Sequence, residues 1–164
     1  MSLDIILYLV PAVGLLALGY ALWRASWVKK QDYGTDRMEE LSGYIRDGAM
    51  AFLSKEYRVL SIFVIVVAGL LAGIYYSTDA EGGLGASQMA MVAVSFIVGA
   101  ICSGAAGFFG MRVATQANVR TTNAAREGIA PGLKVSFAGG TVMGMAVVGL
   151  ALLGLGVLLI AFGG

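Results

Sequence analysis

Arg112, Arg120 and Arg126 fall along one stretch of chain opposed only by Glu127, the arrangement in this sequence best able to attract a phosphate-bearing ligand. Guanidinium groups match phosphate oxygens bidentately. The same residues also serve as topology determinants and helix-packing contacts, and those roles are the preferred reading. The other charged stretch mixes Asp36, Glu39, Glu40, Asp47 and Glu56 with Arg37, Arg46, Lys55 and Arg58. Such alternation reads as a solvated helix face with ion pairs one turn apart, while Lys29 and Lys30 fit contact with anionic headgroups. The chain has no His, so imidazole catalysis and His-ligated metals fall away. The single cysteine, Cys102, lies in an apolar run and reads as a small packing residue. No nucleotide loop, zinc spacing, nucleophile–base pair or redox motif is present. No catalytic, cofactor-binding or metal-binding residue is therefore assigned, and no nucleic-acid partner.

The elements that must carry these charges are membrane helices. The 164 residues are 59% hydrophobic and 13% charged, with a mean hydropathy of +0.84. Soluble domains carry about 25% charged residues, so this chain has too little polar surface to coat a water-soluble globule. Four apolar runs stand out, at about residues 3–23, 59–76, 89–111 and 135–162. Spans of roughly 18–28 residues reach about 27–42 Å as helix, enough to cross a hydrocarbon core of about 30 Å. The first run is a retained span and not a signal peptide, because Arg24, Lys29 and Lys30 follow it instead of preceding it.

All eleven Lys and Arg lie in segments 24–58 and 112–134. The positive-inside rule then places both segments in the cytoplasm and both termini outside it, in a multi-pass protein of the cell membrane. Thr35 and Asp36 are N-cap residue types, and Asp36 with Glu39 has capping-box spacing. Met38, Leu41, Ile45, Ala49 and Phe52 recur at helical steps, so one helix is expected from about Arg37 to Tyr76. The third span should continue through Arg112–Glu127 and stop at Gly128, with Pro131 just beyond. The acidic outer loop, with Asp79, Glu81, Gly82, Gly83 and Gly85, reads as a flexible turn. The expected fold is an all-α bundle of four transmembrane helices in one membrane domain, 1–164, with two helices extended into the cytoplasm.

Small residues recur every fourth position on three spans: Gly69 and Gly73, then Ser95, Gly99, Ser103 and Gly107, then Gly140 and Gly144. Such stripes let helix backbones approach closely in lipid, and packing is preferred over a ligand groove because no charge accompanies them. Ion pumps usually place ionisable groups inside the bundle. None lies deep in these spans, which therefore read as scaffold.

Two segments resemble the N-terminal region of membrane-bound inorganic pyrophosphatases, the pyrophosphate-energised proton or sodium pumps. One runs G-T-D-R-M-E-E-L-S-G-Y-I-R-D-G-A-M-A-F-L-S-K-E-Y from Gly34 to Tyr57. The other runs G-M-R-V-A-T-Q-A-N-V-R-T-T-N-A-A-R-E-G from Gly110 to Gly128 and leads into a glycine-rich stretch, Phe137–Leu155. Its most specific part is Ala117, Asn118, Val119, Arg120 and Thr121. The resemblance implies a homodimer of about sixteen helices per subunit, with pyrophosphate and Mg2+ bound by aspartates on later helices, and K+ as a further possible cofactor. It places these four helices in an outer ring, beside the remaining helices of the parent, and makes the fragment inactive alone. The chain ends at Gly164 directly after an apolar run, which reads as truncation of that larger pump.

Two other classes stay open. A free-standing four-helix membrane scaffold fits the same pattern. A rotor-ring proteolipid of a rotary ATPase fits less well, because it needs a mid-membrane carboxylate and spans two to four have none. Tags at residues 1 and 164 should both react only from the non-cytoplasmic face in oriented vesicles. Reaction of both only from the cytoplasmic face would invert the topology.

Overall fold

A computed structural model describes residues 3–78 and 86–162. The expected turn at Gly82, Gly83 and Gly85, with Asp79 and Glu81, lies outside the described residues. The described chain forms four helices: α1 Leu3–Lys29, α2 Asp36–Thr78, α3 Ala86–Ala125 and α4 Ile129–Phe162. No strand occurs among the described residues, and all four helices are long and apolar enough to cross a membrane. Within hydrocarbon a segment must satisfy its own N–H and C=O groups, which is why uninterrupted apolar runs become uninterrupted helices. The all-α bundle of membrane-spanning helices read from the sequence is the fold observed.

The starts and stops follow local chemistry. Thr35 caps α2, its hydroxyl accepting from the Met38 amide at 3.4 Å and its carbonyl from the Glu39 amide at 3.0 Å. The capping box expected from Asp36 and Glu39 is not formed. Asp36 is already the first helical residue, so the reciprocal position falls on Met38, which has no group to return the bond. Gly128, at φ +144°, follows the end of α3. Pro131 then sits in the first turn of α4, where its missing N–H leaves no bond unmade.

α4 packs along both α1 and α3, whereas α2 leans chiefly on α3. The buried positions of α4 include Gly132, Val135, Gly139, Val142, Ala146, Gly149 and Gly156. With Leu153 they alternate in steps of three and four, the spacing that keeps one seam facing a neighbouring helix. Gly14, Ala17, Ala21, Arg24 and Val28 do the same on α1, and Ala106, Gly110, Val113 and Ala117 on α3. The small side chains among these bring backbones together. A Cβ on Gly14 would lie 2.9 Å from the Gly149 carbonyl oxygen and 3.0 Å from the Leu153 amide nitrogen. One on Gly156 would lie 2.7 Å from Cδ of Pro11, and one on Gly139 would lie 2.8 Å from Cβ of Ala117.

The stripe positions singled out from the sequence lie on other faces. A Cβ at Gly69, Gly73, Gly99, Gly140 or Gly144 would meet nothing within 4 Å, and one at Gly107 would meet only the Tyr57 hydroxyl, at 3.1 Å. Ser95 returns its hydroxyl to the Met91 carbonyl at 2.7 Å, and Ser103 is exposed. Within this chain the close approaches run along the seams instead. The apolar face expected on α2 is split similarly. Met38, Leu41 and Ile45 border Asn118, Val119 and Thr122 across a small crevice of about 160 Å³, while Phe52 is 59% exposed.

Gly14→Ala should destabilise the bundle by about 1–3 kcal/mol, because the new methyl meets backbone that cannot rotate away. Gly19→Ala, where a Cβ would meet nothing within 4 Å, should be neutral or slightly stabilising. Denaturation in detergent followed by circular dichroism checks both, and equal effects would refute the seam.

Candidate functional site

The described residues that converge most closely lie where the α1–α2 connection meets α3. At the end of α1 the chain tightens, with the Lys30 amide bonded to the Trp27 carbonyl and the Gln31 amide to that of Val28, both at 3.1 Å. The Gln31 side chain also donates to the Trp27 carbonyl, at 3.0 Å. Asp32 Oδ1 accepts from the Gly34 amide at 3.0 Å, an Asx-type turn. Gly34 itself has φ +90°, a conformation that favours glycine. Space demands glycine as well, since a Cβ there would lie 2.6 Å from Asn123 Oδ1 and 2.8 Å from Met38 Sδ.

A helix end leaves carbonyls without intrahelical donors, and Arg120 supplies them. Its Nε donates to the Gln31 carbonyl at 2.9 Å, one terminal nitrogen to the Lys29 carbonyl at 3.2 Å, and the other to the Gln116 carbonyl at 2.8 Å. The guanidinium also faces the Tyr33 ring, 5.9 Å from its centroid. One turn further on, Asn123 Nδ2 reaches the Asp32 carbonyl at 3.5 Å. Arg120 and Asn123 thus fasten α3 to the connection between α1 and α2.

The rest of the segment shared with the resembled family surrounds this clamp. Ala117 is buried against Gly139 of α4. Asn118 and Thr121 border a hollow of about 460 Å³ facing Ser136 and Gly140. Val119 faces α2 beside Met38 and Leu41. The five residues thereby touch three helices at once.

Beside the clamp lies a polar hollow of about 530 Å³ bordered by Lys29, Tyr33, Glu39, Glu40, Arg46 and Arg120. Its signs are mixed. Glu40 pairs with Arg37 at 2.6 Å and accepts from the Tyr44 hydroxyl at 3.1 Å, and the Glu39 carboxylate raises the Tyr33 phenol above its ordinary 10.0. Interleaved charges produce no concentrated positive field, and each nitrogen of Arg120 already donates to a carbonyl. Among the described residues no group of three or more His, Cys, Asp or Glu could hold a metal ion.

On the far side of α3, Leu53 is buried and the Tyr57 hydroxyl donates to the Gly104 carbonyl. Leu53 and Tyr57 both border an apolar groove of about 1050 Å³ between α2 and α3, together with Phe63, Phe96, Gly99 and Ser103. The roles of Gly34, Gln31 and Asn123 were not assigned from the sequence. The available signal was Asp32 two residues before a glycine, a turn pattern; nothing local tied that turn to α3.

A family model described as inorganic H+ pyrophosphatase matches residues 15–164. A putative K+-stimulated pyrophosphate-energized sodium pump of Clostridium tetani is 46% identical over 159 residues, covering 97% of this chain and 22% of that protein. A K+-insensitive pyrophosphate-energized proton pump of Chloroflexus aurantiacus is 37% identical over 164 residues, covering 94% and 21%. A K+-stimulated pyrophosphate-energized sodium pump of Thermotoga maritima is 41% identical over 158 residues, covering 95% and 20%. The chain thus spans about a fifth of the length of the curated relatives it matches.

Arg120→Lys should release the α1–α2 connection, since one ammonium cannot reach three carbonyls in different directions. Trypsin should then cut faster after Lys29 and Lys30 at unchanged helix content, with a stability loss of about 1–3 kcal/mol. An unaltered cutting rate would remove the clamp.

Proposed function

The chain belongs to the inorganic H+ pyrophosphatase family, and we propose that its four helices form the N-terminal, outer-ring part of a pyrophosphate-energised ion pump. In this reading the chain is scaffold. The parent hydrolyses pyrophosphate on the cytoplasmic side and exports H+ or Na+, as a homodimer of subunits of about sixteen helices. The basic segments 24–58 and 112–134 face the cytoplasm, and both ends of the chain lie on the other side of the membrane.

The observation that carries the reading is the chemistry of the seams. Between the polar ends of the spans, the positions where α1, α3 and α4 meet are mostly Gly, Ala, Val and Leu, with Pro11, Cys102 and Met143 beside them and no acidic or basic side chain among these. Ion relays need ionisable groups inside the bundle, and pyrophosphate needs uncommitted donors. Arg120, the cation most naturally aimed at a phosphate, holds backbone carbonyls instead. Hydrolysis and ion selection then belong to residues outside this chain, and so do Mg2+ and any K+. The stripes at Gly69, Gly73, Ser95, Gly99, Ser103, Gly107, Gly140 and Gly144 would pack against the remaining helices of the parent, since small residues at that spacing suit close helix contact.

Magnesium-dependent pyrophosphatase activity, measured in detergent, should stay at the buffer rate for this chain and appear with the full-length polypeptide. Hydrolysis by the 164-residue chain alone would overturn the scaffold assignment.

A further inference from the structure

One seam position breaks the pattern. The inward steps of α1 run Gly14, Ala17, Ala21, Arg24, Val28, so an arginine stands where every neighbour in the register is small or aliphatic. Arg24 is half-buried, and its Nε is fully enclosed with no hydrogen-bond partner. Its guanidinium lies 5.0 Å from the centroid of the Trp27 ring and 5.8 Å from that of Trp23. From α4 the exposed Lys134 ammonium approaches the same Trp27 ring, at 5.7 Å. Trp27 itself rests on the core formed by Val28, Ala117 and Ala138, so the ring holds both cations at a fixed place between two helices.

No acid answers them. The ion pairs among the described residues are Arg37–Glu40 and Arg46–Asp47. The nearest acids along the chain are Asp32 after Arg24 and Glu127 before Lys134, each about two helical turns away. Both cations also occupy the boundary of the hydrocarbon. Arg24 follows the first apolar run directly, and Lys134 directly precedes the last. Tryptophan favours the same interfacial depth.

We propose that Arg24 and Lys134, held on Trp27, bind a phosphate-bearing anion, and that its source is the headgroup of an acidic phospholipid. Two cations at headgroup depth, the exposed Lys134 ammonium and the half-buried Arg24 guanidinium, fit a phosphate diester arriving from the bilayer. Basic pockets between helices on the cytoplasmic side take such headgroups. The inference goes beyond hydrolysis and holds whichever ion the parent moves.

Trp23 and Trp27 are the two tryptophans of the chain, so Trp23→Phe leaves a single reporter at the site. In this background, brominated phosphatidylglycerol should quench Trp27 more strongly than brominated phosphatidylcholine in mixed vesicles. Lys134→Gln should lower the preference about five-fold, and Arg24→Gln with Lys134→Gln should abolish it, with circular dichroism unchanged for the exposed Lys134→Gln variant. Lys30→Gln is the control and should retain the preference. Equal quenching by the two lipids would overturn the proposal, and so would an equal fall on Lys30→Gln, which marks a diffuse surface field. In phosphatidylcholine vesicles, millimolar phosphate or pyrophosphate should leave Trp27 unaffected. A response to those anions without any lipid preference would move the site to a soluble ligand and remove the lipid assignment.

Discussion

Helices surrounded by lipid gain nothing from hiding apolar surface from each other, because hydrocarbon tails are as apolar as leucine. Their association depends on how closely backbones can approach. In this chain that condition is met along α4, where Gly139, Gly149 and Gly156 lie against Ala117, Gly14 and Pro11. α1 and α3 are held on either side of α4 by these contacts, and α1 touches α3 more lightly. Everything at the polar end takes its position from that triad of helices.

The clamp at Arg120 illustrates the dependence. Ala117 is one turn before Arg120, and its contact with Gly139 sets the height of α3 against α4. The same height brings the guanidinium level with the end of α1, where carbonyls without donors wait. A bond to a charged donor contributes about 1.5–3 kcal/mol, so the arrangement is worth holding. It also supplies a reason for glycine at position 34, where both a positive φ and the nearness of Asn123 exclude a side chain. The family-like segment is thus explained by structure at three of its five positions: Ala117 as spacer, Val119 facing α2 and Arg120 as clamp. The part played by Asn118 and Thr121 is limited here to bordering a hollow beside α4.

The long helices were legible because their determinants are local. An apolar run must satisfy its own backbone, so α2 and α3 extend across the spans and beyond them much as the periodicity indicates, with Gly128 and Pro131 marking the reversal before α4. Thr35 and Asp36 are both good cap residues in the sequence; the structure gives the place to Thr35, and the capping-box spacing of Asp36 and Glu39 goes unused. The seams were harder to find. Steps of four drew attention to Gly140 and Gly144, whereas the contacting residues alternate steps of three and four through Gly132, Val135, Gly139 and Val142. With 24 glycines in the chain, several registers look equally smooth along one helix.

By itself, then, the sequence determined the solvent class, the number and type of elements and the separation of charge between the two ends of the bundle. Each of these follows from transfer energies and backbone hydrogen bonding within a single segment. The tertiary structure decided which face of each helix is inside and where Arg120 places its donors. It also decided that Arg24 and Lys134 meet at Trp27. Those outcomes depend on the relative height and rotation of helices distant in sequence, quantities that no local pattern encodes and that close packing at a few small residues selects.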